Sequence, residues 1–160
     1  FNIYKNLEKE LVYAVIRQES AFDSKAISRV GARGIMQIMP ATAKKMSKKL
    51  KLNYSKKRLT SDVQYNVSIG SYYLYSLIDE YDSYLLALVG YNAGPRRIGK
   101  WIRRYGDPRK ESVDTANWIE NIPIKETRLY VKIVLSNLQV YRQKNQKSKK
   151  LSIFSKKDGI

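Results

Sequence analysis

Apolar residues recur along this chain with the period of an α-helix, and no run alternates apolar and polar with the persistence of a strand. Leu7, Leu11, Val15 and Ile16 predict a first helix over about residues 5–19. Residues 21–39, with Gly31 and Gly34, read as a loop holding a short helical turn. Pro40 suits a first helical position and predicts a helix over 40–50. Ser61 and Gln64 form a capping-box pattern. Behind it Val63, Val67, Gly70, Leu74, Leu77, Ile78 and Tyr81 line one face of a long helix. A fourth helix covers about 84–91 and stops near Gly94. Pro95 opens a fifth, with Ile98, Trp101 and Ile102 inward, and Asp107, Pro108 and the polar residues after them read as loop. A last helix over 125–143 buries Val131, Val134, Leu135, Leu138 and Tyr141. The fold class is all-α. At 160 residues the chain suits one domain, 1–143, followed by a basic, flexible tail, 144–160, with six Lys and one Asp between Lys144 and Asp158.

The chain contains no Cys and no His. That excludes a disulfide scaffold, a Cys or His metal site, a Ser-His-Asp triad and a cysteine nucleophile. Carboxylates in EF-hand spacing are absent too, so no metal and no cofactor is expected. Lys and Arg total 31 against 14 acids, a net charge of +17, which draws the chain towards anionic partners or merely keeps it soluble. No apolar stretch is long enough to span a membrane, and no signal peptide is present. Starting at Phe1, the sequence reads as an excised domain.

The acids can be taken one by one. Glu8, Glu10, Asp79, Glu80, Asp82, Asp107, Glu111, Asp114 and Asp158 have polar neighbours in sequence and read as solvated. Asp62 falls in a first helical turn, where the dipole favours a negative charge, and Asp23 reads as a turn residue. Glu19 differs. It lies four residues after Val15 and continues the buried face of the first helix, at the helix C-terminus. Burial and that dipole both push a carboxyl pKa upward, which is what a general acid needs. The competing reading is a structural buried Glu. Glu126 opens the last helix and reads from position as a helix-start carboxylate. The glycines of Gly31-Ala32-Arg33-Gly34-Ile35-Met36-Gln37 allow close backbone approach, or a plain tight loop. Gly90-Tyr91-Asn92-Ala93-Gly94 ends a helix with a Tyr and an amide at the break. The 13 Tyr and 2 Trp suit sugar stacking as well as a core.

Taken in order, these segments resemble the catalytic domain of soluble lytic transglycosylases. Glu19-Ser20 ends a helix, then come Gly34-Ile35-Met36-Gln37, Tyr91-Asn92-Ala93-Gly94, and Ile122-Pro123 with Glu126-Thr127-Arg128 and Tyr130-Val131. The resemblance covers about residues 8–142. Ile35 stands where Leu is common and Gly90 where Ala is common. It implies a lysozyme-like helical fold with a glycan groove, peptidoglycan strands as substrate, and a location in the bacterial periplasm or cell envelope. Cleavage between N-acetylmuramic acid and N-acetylglucosamine would leave a 1,6-anhydro end. Glu19 would serve as acid and then base. Ser20, Met36, Gln37, Tyr91, Asn92, Glu126 and Tyr130 would bind substrate, with Met36 against the saccharide and Tyr91 steadying the acetamido group or Glu19. Other cell-wall enzymes are possible partners; nucleic acid is not expected. A nucleic-acid binder would explain the charge but not Glu19 beside Gly-Ile-Met-Gln, and an inactive wall-binding module gives no reason for Glu19.

Overall fold

The computed structural model describes residues 1–5 and 7–145. The predicted tail falls largely at 146–160, outside the described residues. Among the described residues eight helices follow in order: α1 (Lys9–Ser20), α2 (Pro40–Lys49), α3 (Arg58–Ser61), α4 (Val63–Tyr81), α5 (Tyr84–Ala93), α6 (Arg96–Tyr105), α7 (Thr115–Glu120) and α8 (Lys125–Lys144). Among the described residues there is no strand, only isolated bridges joining Ile27 to Arg33 and Arg33 to Ile38. None of the described helices is long and apolar enough to cross a membrane. The chain divides within α4 into two units, Phe1–Tyr75 and Ser76–Ile160.

In the first unit, α1 starts later than periodicity predicts. The chain before it is tied to α4 instead: the Asn2 N–H donates to Gln64 Oε1 at 2.9 Å, Gln64 Nε2 donates to the Asn2 carbonyl at 2.9 Å, and the Tyr4 N–H donates to Ser71 Oγ at 3.0 Å. The Tyr4 ring packs on Tyr72 and Tyr75. Leu11, Val12, Ala14, Val15 and Ile16 are fully buried. Glu8 and Glu10, expected in solvent, are buried as well, Glu10 with 1% exposure. Glu10 stands four residues before the buried Ala14 in α1, so the helix turns it to the apolar side whatever its sequence neighbours are. Pro40 opens α2 as predicted. The cap of α4 is Asp62 rather than Ser61: Ser61 closes α3, while Asp62 Oδ1 accepts the Tyr65 N–H at 2.9 Å. That N–H, and then the Arg58 guanidinium, hold the Asp62 carboxyl below its ordinary pKa.

In the second unit, α5 is capped by Ser83 Oγ, which accepts the Leu86 N–H. Residues 84–90 are all buried, as expected of a helix surrounded by its own unit, and α5 packs on α6 and α8. α6 buries Ile98 and Trp101 and leaves Ile102 half-buried. α7 replaces predicted loop. Asp114, read as merely solvated, caps it by accepting the Asn117 N–H at 2.7 Å, and Trp118 is buried with Nε1 donating to the Gly106 carbonyl at 2.9 Å. α8 buries Val131, Val134, Leu135 and Leu138; Tyr141 is half-buried and Arg142 beside it is fully buried.

Candidate functional site

Glu19 occupies the last turn of α1 and is half-buried, not sealed in as its position on the apolar face suggested. Part of its surface is therefore open to solvent. The chain leaves α1 through two successive left-handed non-glycine residues, Ala21 (φ 50°) and Phe22 (φ 70°). Such residues cost about 1–3 kcal/mol each and persist only where the surroundings over-determine them. Here the Ala21 N–H donates to the Arg17 carbonyl at 3.1 Å and closes the helix. Ser20 Oγ donates to the Ile35 carbonyl at 2.8 Å, so the residue after Glu19 is fastened to the Gly34–Gln37 turn.

That turn is clamped from α4. Asn66 is fully buried; its Nδ2 donates to the Arg33 and Leu59 carbonyls, both at 2.9 Å, and its Oδ1 accepts the Met36 N–H at 3.0 Å. Every polar group of the amide is thereby satisfied by backbone, as burial demands. Gly34 has φ 75°, and a Cβ built there would stand 1.9 Å from the Leu59 carbonyl oxygen and 2.3 Å from Asn66 Nδ2. Only glycine lets the turn lie this close. Met36 has no exposed surface, and its Sδ would be 2.6 Å from a Cβ on Gly70. Its thioether therefore holds the turn on α4, and contact with a saccharide would require it to move. Gln37 is half-buried with φ 47°; its Nε2 donates to the Gly34 carbonyl at 2.8 Å and the Ala26 carbonyl at 3.1 Å. Both amide hydrogens are used, so the side chain offers a ligand its oxygen.

In the second unit Tyr91 and Asn92 lie half-buried at the end of α5, which Gly94 closes with φ 88° and its N–H on the Gly90 carbonyl. Gly90 is confined as well: a Cβ there would meet Ile98 at 3.0 Å. Thr127, 1% exposed in the first turn of α8, donates its hydroxyl to Asn92 Oδ1 at 2.7 Å. Glu126 beside it is exposed, and Tyr130, one turn on, is 4% exposed. Arg128 reaches back to the Glu120 carbonyl at 3.0 Å and the Ile122 carbonyl at 3.2 Å, while Lys132 pairs with Glu120. It thus serves the carbonyls at the end of α7 that no helical N–H reaches. The sequence reading assigned no role to Asn66, Thr127 or Arg128. A signal existed for Asn66, an amide four residues before Gly70 on a face otherwise apolar.

Among the described residues no group of three or more His, Cys, Asp or Glu is placed to hold a metal ion.

Comparison with known proteins gives these arrangements a family. The model for the transglycosylase SLT domain matches residues 3–113. A soluble lytic murein transglycosylase of Escherichia coli K12 is 36% identical over 140 residues, spanning 86% of this chain and 21% of that protein. The crystal structure of the 70 kDa soluble lytic transglycosylase of Escherichia coli superposes with a TM-score of 0.80 at 34% identity, over 87% of this chain and 22% of that one. An inactive glutamate-to-glutamine variant of the lytic transglycosylase of Pseudomonas aeruginosa gives 0.81 at 35% identity, over 94% and 24%. The chain therefore spans about a fifth to a quarter of the length of these relatives. Its helices adopt the lysozyme-like arrangement of those structures, and by sequence and fold alike the chain belongs to the transglycosylase SLT domain family.

Proposed function

We propose that this domain cleaves the β-1,4 bond between N-acetylmuramic acid and N-acetylglucosamine in peptidoglycan and leaves a 1,6-anhydro muramic end. The observation that carries the reading is Glu19: a half-buried carboxyl group at the negative end of α1, held between strained backbone and a turn clamped by Ser20 and Asn66.

Glu19 protonates the glycosidic oxygen as the bond to C1 breaks. The substrate's own acetamido group stabilises the positive charge at C1. The ionised Glu19 then takes the proton from the C6 hydroxyl, whose oxygen closes on C1. The carboxyl group is restored and no water is consumed. Two-carboxylate glycosidases need a second acid to bind as nucleophile or activate water; this sequence of steps does not. Gln37 supplies an acceptor oxygen to the sugar, Tyr91 and Asn92 border the reacting residue, and Glu126 accepts hydrogen bonds from hydroxyls or amides. Ser20, Met36 and Tyr130 support this set by holding its backbone and helices in place. The surplus of basic residues draws the domain to the acidic stem peptides of the wall, and the place of action is the bacterial cell envelope.

Glu19→Gln tests the reading, because the amide keeps the shape and cannot exchange the proton. Lysis of purified peptidoglycan, followed by turbidity, is expected to fall by about 10²–10⁴ while folding is unchanged. Mass analysis of wild-type products should show anhydro ends. More than about a tenth of the wild-type rate in the variant, or reducing ends in the product, would refute it.

A further inference from the structure

We infer that Thr127 is a positioning residue that commits Asn92 to donating hydrogen bonds, so that the ligand atom meeting Asn92 is an acceptor oxygen. This rests on the reading of Asn92 as a substrate-binding residue. An amide oxygen cannot donate, so in the 2.7 Å contact the Thr127 hydroxyl supplies the proton to Asn92 Oδ1. With Oδ1 held by Thr127 the amide can no longer turn over, and the end directed away from the hydroxyl carries the two Nδ2 hydrogens. A free asparagine can present either end and so suits donors and acceptors alike. This one is fixed by a buried hydroxyl on another helix: Thr127 is 1% exposed, whereas Asn92 is half-buried and accessible.

The surroundings keep that hydroxyl in place. Thr127 stands in the first turn of α8, directly before Arg128, whose guanidinium is tied to the Glu120 and Ile122 carbonyls. On the other side, α5 is stopped one residue beyond Ala93 by Gly94. Both ends of the hydrogen bond are therefore set by helix termini rather than by free loops. The three residues 126–128 divide the work: Glu126 faces solvent, Thr127 turns inward to Asn92, and Arg128 anchors the helix start. A group on the substrate that offers a lone pair, such as a carbonyl, hydroxyl or ring oxygen, is matched to the resulting site. A group that can only donate finds no acceptor at the Nδ2 end.

The test is a double-mutant cycle on the intact chain with Thr127→Val, Thr127→Ser and Asn92→Ala, joined to NMR of the Asn92 side-chain amide. Valine keeps the shape and removes the hydroxyl; serine restores it. Thr127→Val is expected to lower kcat/KM by about 2- to 10-fold, the worth of one hydrogen bond, and Thr127→Ser to recover most of it. In the Asn92→Ala background Thr127→Val should cost nothing further, because its effect passes through Asn92. The Asn92 amide protons, distinct and slowly rotating in the wild type, should shift and broaden with Val and not with Ser. Equal losses from Thr127→Val in both backgrounds, or amide signals untouched by it, would overturn the inference. So would full activity of Asn92→Ala, which leaves the lytic reading standing. A wild-type chain inactive on peptidoglycan would defeat the lytic reading, and the amide signals would then still decide whether Thr127 fixes Asn92.

Discussion

Gly31 and Gly34 share a positive φ and differ in their surroundings, which makes them a useful pair. Both have positive φ, 90° and 75°, but a Cβ at Gly31 meets nothing within 4 Å, while one at Gly34 would overlap the Leu59 carbonyl at 1.9 Å and Asn66 Nδ2 at 2.3 Å. Alanine in the left-handed region costs about 1–2 kcal/mol, and that is all Gly31→Ala should lose. Gly34→Ala incurs the same penalty and must also push Asn66 or the α3 backbone away. Asn66 makes three hydrogen bonds to main chain, two of them buried. Leaving even one of those groups unpaired costs about 1–3 kcal/mol. The expected loss is about 2–5 kcal/mol, a large part of the ~5–15 kcal/mol that stabilises a typical domain. Denaturant titration of both variants gives the difference directly, provided m is unchanged. If the two variants lie within about 0.5 kcal/mol of each other, the clamp is soft and the argument that Asn66 holds the turn next to Glu19 fails.

Glu126→Ala should act mainly through KM, with kcat little changed, because one hydrogen bond to an exposed carboxylate is lost equally from ground and transition states. Steady-state kinetics on a soluble glycan would check it; a fall in kcat as deep as that of Glu19→Gln would make Glu126 a second catalytic carboxylate. Asp62 and Asp107 both titrate below their ordinary value, Asp62 chiefly through the Tyr65 N–H and Asp107 chiefly through the Arg109 side chain. A depressed folded pKa gives stability that is full above the unfolded value of about 4 and is lost as pH falls through the folded value. Denaturation midpoints should therefore be flat from neutrality down to about pH 5 and drop below about pH 4, and Asp62→Asn should flatten part of that drop.

Helix existence was legible wherever apolar residues kept a 3.6-residue period over several turns, as in α1, α4 and α8. What escaped was decided by polar residues whose partners are distant in sequence. The start of α1 moved because Asn2 and Tyr4 pair with Gln64 and Ser71, more than sixty positions away. α7 was missed because its six residues are too short for a period to show, and it is held by the Asp114 cap and by Trp118 on the Gly106 carbonyl. Glu10 was misread because the residues around it in sequence include Glu8 and Lys9, while its neighbour on the helix face is the buried Ala14.

The candidate site shows the same division at finer scale. Glu19 could be singled out because position alone makes a carboxyl group at that place unfavourable, and an unfavourable choice in a short chain invites a functional reason. Gly34 was noticed for its freedom, yet its necessity comes from a carbonyl in α3 and an amide in α4 that no local pattern announces. Met36, a residue of the same turn, was placed against the ligand on resemblance, whereas its burial on Gly70 turns it towards the core. Residues that touch a ligand and residues that hold them are interleaved one by one, because a turn or a helix start points successive side chains in different directions. A motif read as a word therefore mixes both kinds. The local hydrogen bonds mark the holding kind: Ser20, Asn66, Thr127 and Arg128 direct theirs to other protein groups, while Glu19 is half-buried and Glu126 exposed.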